Sequence, residues 1–111
     1  MNVYDKAHEL AKEIKESEEY AKYKFAKEKV EKDIELSKKI KEFETMKYNT
    51  QIFSLQNEKK DESKMKELQE KYAELMQNEV ARSYFELELR FNVMLADVNK
   101  IIAESIQDVL K

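Results

Sequence analysis

"SYFELELRFNVMLADVNKII", residues 83–102, is the stretch that decides the fold. It has the length and composition of a helix, yet its apolar residues do not keep to one face. Val80, Tyr84, Leu87, Phe91, Met94, Val98 and Ile101 follow strict four-three spacing, which gives the a and d positions of a heptad counted from Tyr84 as a. Leu95, Ile102 and Val109 add an apolar e row. Phe85 and Ile106 add to b, and Leu89, Ala96, Ala103 and Leu110 fill f. Only c and g stay mainly polar, with Glu86, Lys100 and Gln107 in one and Arg90, Asp97 and Glu104 in the other. At about 100° per residue the apolar arc covers roughly 200°, whereas a surface helix needs a stripe of about 100°.

Two separate surfaces must cover such an arc. One is the rest of the same chain; the simplest second cover is the same helix from another copy in a two-fold arrangement. The expected dimer seam is Tyr84, Leu87, Phe91, Met94, Leu95, Val98, Ile101 and Ile102. Asn92 and Asn99 interrupt the b row seven residues apart. Either they sit at the edge of the buried arc, bonded to water or backbone, or they fix register between copies, as buried Asn can in coiled coils. The first reading is preferred, because b is not a seam position.

Upstream, the 111 residues contain neither Gly nor Pro. These residues supply most tight turns and bulges, so an all-α chain with short polar breaks is expected. Val3, Ala7, Leu10 and Ile14 form one stripe of an amphipathic helix over residues 2–16. Ser17 reads as the cap of a second helix, 18–32, which presents Tyr20, Tyr23 and Val30 with Phe25 to one side. Asp33 caps a third, 34–56, where apolar periodicity resumes at Leu36, Ile40 and Phe43. "NEKKDES", residues 57–63, has no apolar residue and is the one clear loop, with Asp61 or Ser63 capping a fourth helix, 62–77. Asn78 caps the last, 79–110, which at ~1.5 Å per residue is about 50 Å long and makes the molecule elongated.

If the loop turns the chain back on itself, facing residues of the third and fourth helices should keep a constant sum of numbers. Phe43 with Leu75, Met46 with Tyr72, Thr50 with Leu68, and Phe53 with Met65 all do so. An antiparallel helical hairpin follows. Its tip, around Asn57 to Ser63, would form an arm that could meet a protein partner. The fold class is thus all-α and elongated: a single domain with a helical hairpin and a long C-terminal helix forming a dimer.

Charge narrows the function classes. Lys and Arg number 21 against 24 Asp and Glu, for a net charge of -3 with the signs interleaved along the chain. That pattern offers no one-sign field for nucleic acid or an anionic membrane. No apolar run is long enough to span a bilayer, and the first 20 residues lack an apolar signal core, so a cytoplasmic protein is expected. With no cysteine there is no thiol nucleophile, disulfide or cysteine-held cluster.

His8 is the only histidine, and "HELAK" lacks the second histidine a zinc site of that type requires. Glu86, Glu88 and Glu104 could suggest a carboxylate metal site in a bundle, but the companion Glu-x-x-His motifs are absent and solvated side chains are expected. The aromatics Tyr20, Tyr23, Phe25, Tyr72, Tyr84, Phe85 and Phe91 follow helical spacing without surrounding basic residues. They read as packing groups rather than a stacking platform. No catalytic residue, metal, cofactor or small-molecule substrate is expected.

"MNVYDKAHELAKEIKESEEY" at the start and "RFNVMLADVNKII" near the end resemble the YheA branch of the bacterial YlbF/YmcA family. The resemblance implies an all-helical protein that dimerises through long helices. It also implies a regulatory role, since members act on competence, sporulation and biofilm formation in a complex that modulates ribonuclease Y and messenger RNA processing. The iron-sulfur clusters associated with that complex are held by cysteines, which this chain lacks. A non-catalytic homodimer that binds another protein is therefore expected. A holdase-like helical chaperone is the alternative, and exposed apolar residues at the hairpin tip would favour it.

Overall fold

The computed structural model describes residues 2–56 and 61–110. Of the expected loop, residues 57–60 lie outside the described residues. The chain forms α1 (Val3–Lys15), α2 (Glu18–Lys32), α3 (Ile34–Gln56), α4 (Glu62–Met76), α5 (Glu79–Ser105) and α6 (Gln107–Leu110).

The starts of α2 to α5 are each closed by a short polar side chain standing in for the carbonyl that a helix start lacks. The Tyr20 amide donates to Ser17 Oγ at 3.1 Å, and the Ser17 hydroxyl donates back to the Ile14 carbonyl at 2.6 Å. One serine thus ends α1 and starts α2. Asp33 accepts from the Leu36 amide, Asp61 from Lys64 and Asn78 from Ala81, each at 3.1 Å. Asn2, which the sequence reading did not single out, accepts from Asp5 at 3.0 Å. Asn78→Ala should cost about 1 kcal/mol of stability, since it removes the acceptor of a part-buried amide. Urea unfolding compared with Asn78→Ser, which keeps an acceptor, checks this.

The final helix departs from the expected unbroken run to residue 110, because α5 stops at Ser105 and a turn at Ile106 leads into α6. The Ser105 hydroxyl donates to the Ile102 carbonyl at 2.7 Å. Its neighbour Ile106 bonds three residues back to Ala103 at 3.3 Å. A hydroxyl that takes a backbone acceptor competes with the helical ladder, and the tighter three-residue pattern follows.

The chain divides into two compact units: unit 1 comprises residues 1–26 and 85–111, and unit 2 comprises residues 27–84. Unit 2 holds the packed core, where Val30, Leu36, Ile40, Phe43, Leu75, Ala81 and Tyr84 are buried together with Thr50. In it α3 and α4 form the antiparallel hairpin. Phe43 meets Tyr72 with ring centroids 5.6 Å apart and shares a surface depression with Leu75. Further along, Thr50, Met65 and Leu68 line one open groove. Met46, Met65 and Leu68 are half-buried, whereas Tyr72 is exposed. Phe53 lies at the edge, with the Lys64 ammonium 5.5 Å from its ring centroid.

In unit 1, α2 packs on α5 through aromatic rings. Tyr20 and Tyr23 both lie against Phe91, at centroid distances of 6.0 and 5.5 Å. The Tyr23 hydroxyl donates to Glu88 Oε2 at 3.1 Å. Ala26 is the one buried hydrophobic residue among the described residues of this unit, and α1 has none. No helix among the described residues is long and apolar enough to cross a membrane.

Candidate functional site

The distribution of apolar surface locates the site. Sixteen large hydrophobic side chains are exposed among the described residues, and eleven of them belong to unit 1. A unit with almost no core of its own therefore carries most of the exposed apolar surface. Scattered exposed hydrophobics are ordinary, but so many in a unit with one buried hydrophobic residue make its helices the candidate interaction surface.

On α1 the stripe expected from its spacing is present but uncovered: Val3 is 80% exposed and Leu10 38%. Ala7 is also exposed, and only Ile14 is half-buried. The helix is held by its caps and by short-range ion pairs such as Lys6–Glu9 at 3.3 Å. Such exposed pairs contribute only ~0.3 kcal/mol each. Isolated helices of this length are marginal in water, so α1 gains much from a surface laid against its apolar stripe.

On α5 the expected seam is sorted by what the chain itself covers. Tyr84 is corrected: it is buried in unit 2, where it lines a cavity of about 440 Å³ with Val30 and Ile40. At the start of α5 its a-row position faces the core of its own chain. Leu87, Phe91, Met94, Leu95 and Val98 are half-buried, and the α2 tyrosines account for the cover on Phe91. Ile101 is 69% exposed and Ile102 48%. A second flank carries Leu89 and Val93, both exposed, and Ala96 and Ala103 are exposed as well.

The sequence reading placed Leu89 and the alanines in the f row but not in the seam. Spacing alone did not show α2, whose tyrosines lie against Phe91 in the a row and bond Glu88 in the e row. Glu88 was also missed, having been read as solvated. In the structure it accepts the Tyr23 hydroxyl and is half-buried.

The polar groups around this surface pair locally. Arg90 donates to Glu86 at 2.9 Å, and Lys100 lies 3.8 Å from Glu104. The Glu18 carboxyl is held below its ordinary value of 4.5 by a hydrogen bond from Lys22 and that ammonium's charge, with a smaller contribution from Arg90. Its small contribution to stability is present above the ordinary value and lost as pH falls through the lowered one. Asn92 and Asn99 are exposed, and so is His8. Glu86, Glu88 and Glu104 each have a different partner and do not converge, and no cluster of metal-ligating residues occurs among the described residues.

Comparison with known proteins shows the family. Residues 3–107 match the family described as control of competence regulator ComK, YlbF/YmcA. A UPF0342 protein of Desulfitobacterium hafniense is 39% identical over 110 residues, covering 99% of this chain and 89% of the relative. Another UPF0342 protein, from Caldicellulosiruptor bescii, is 38% identical over 106 residues, covering 96% and 89%. Among solved structures the fold is similar to that of Bacillus subtilis RicA in its complex with RicF. That match has a TM-score of 0.63 and 20% identity over 98% of this chain and 96% of the other. With the helical architecture, the match across nearly all of its length and these relatives together, the chain belongs to the YlbF/YmcA family.

Proposed function

We propose that this chain is a non-catalytic regulatory protein that works by binding other proteins, pairing with a second copy of itself through unit 1 and presenting further surface to a different partner. The observation that carries this reading is the concentration of exposed apolar side chains on α1 and α5, in a unit that has almost no core. Support comes from the family, which is described as one of regulators, and from the similar fold of RicA, a protein solved in complex with another protein. The cytoplasm is the compartment that suits a chain without cysteine.

Sedimentation equilibrium of the purified full chain should give the mass of two copies at about 10–100 µM, the range in which an interface of modest area assembles. A single-copy mass throughout that range overturns the pairing. For the second partner, a host protein retained by the wild type should be lost with Leu10→Glu, which puts a charge on the uncovered α1 stripe without touching a core. A partner held equally by both chains removes α1 from the docking surface.

A further inference from the structure

The proposal that two copies pair leaves open which way round the helices run, and the charges of α5 answer this. On the exposed flank, Val93 lies midway between Glu86 and Lys100, seven residues from each, and all three share one row of the helix. Arg90 and Asp97 occupy the next row, three residues before Val93 and four after it. Val93 is 50% exposed and Leu89 64%. The side chains of Glu86, Arg90 and Lys100 are each more than half exposed. Asp97 is exposed as well.

We infer that α5 pairs with α5 of a second copy in antiparallel fashion about a two-fold axis at Val93. Glu86 then faces Lys100 of the partner subunit, and Arg90 faces Asp97 of the partner subunit. In an antiparallel pair of helices each facing row meets itself reversed, so a row is self-complementary only if its charges change sign on reversal about the axis. Both rows do. The intrahelical Glu86–Arg90 pair of one copy then lies against the Lys100 and Asp97 side chains of the other, and the same four charges recur on the far side of the axis. Between them Val93 meets its own counterpart, and Leu89 stands against Ala96 of the partner subunit, a large residue opposite a small one. A parallel pair in register would instead set Glu86 on Glu86 and Lys100 on Lys100, which costs free energy at every charged position. The occupant this surface fits is therefore a second copy of the same chain.

This inference rests on the pairing proposed above, and a charge exchange tests it separately. Glu86→Lys alone brings two ammonium groups face to face at both symmetry-related contacts, and Lys100→Glu alone brings two carboxylates face to face at the same places. Each single change should weaken the dimer about tenfold, whereas the double variant E86K/K100E should return to within about threefold of wild type. Sedimentation equilibrium in ~0.1 M salt reads these changes, and they should shrink in ~1 M salt, where the screening length falls to about 3 Å. The intrahelical alternative predicts the opposite order. The double variant has lost the favourable Glu86–Arg90 pair and also gains a repulsive contact with Glu104, so it should then be worse than either single change. A wild-type chain that is monomeric overturns the pairing itself. A wild-type dimer in which the double variant is no better than the singles, or in which the singles have no effect, overturns the antiparallel register alone.

Discussion

Phe43→Ala is expected to destabilise the chain by about 3–5 kcal/mol, the range for removing a buried ring from a core that cannot close over the space. Phe43 is 6% exposed, lies against the Tyr72 ring, and sits where α3 and α4 meet beside the buried Leu75. Ordinary domains are stable by only ~5–15 kcal/mol, and small ones lie near the lower end, so this loss is a large fraction of the total. The melting temperature should fall by roughly 12 °C or more, at about 4–8 °C per kcal/mol for a chain of this size. Leu55→Ala, at a residue 83% exposed on the same helix, should stay within about 0.5 kcal/mol of wild type. Urea unfolding at one fixed protein concentration puts both numbers on a common footing with respect to assembly. If Phe43→Ala cost no more than Leu55→Ala, the hairpin would not be the core of unit 2.

That contrast also shows what the sequence could and could not disclose. The helices were legible because their punctuation is local: Ser17, Asp33, Asp61 and Asn78 each cap through an amide three residues on, and such spacing can be read without tertiary knowledge. The hairpin was legible because a polar loop between two periodic stripes leaves few ways to bury them. The break at Ile106 was not, since it depends on a serine hydroxyl choosing a backbone carbonyl over water. Which rows of α5 stay uncovered was not legible. Apolar spacing shows how much of a helix must be sheltered, but which rows the chain shelters itself depends on where α2 lies. Phe91 carries its spacing in α5 and its partners, Tyr20 and Tyr23, far upstream in α2. Tyr84 was placed outside for the same reason: it continues the a row, yet the residues beside it in the cavity come from α2 and α3.

Val93→Asp should abolish pairing at concentrations where the wild type is fully dimeric, a loss of at least about a hundredfold in affinity. At the two-fold axis one substitution acts twice and on itself, since each new carboxylate faces its own copy across a water-poor seam. Burying an unpaired charge costs several kcal/mol, and two like charges a few ångströms apart add to it. In the isolated chain Val93 is half exposed, so the monomer should keep its helicity in far-ultraviolet circular dichroism. Val93→Ala, which removes apolar area without adding charge, should weaken the dimer by only about tenfold. The size of the aspartate effect separates this axis from a seam about 100° further round the helix. Were copies joined through Leu87, Met94 and Ile101 instead, position 93 would lie near the rim, where a new carboxylate costs little, and Met94→Asp would carry the large loss. Measuring both variants by sedimentation equilibrium therefore fixes the face as well as the fact of pairing. A dimer that tolerates Val93→Asp but not Met94→Asp would move the axis to that other side.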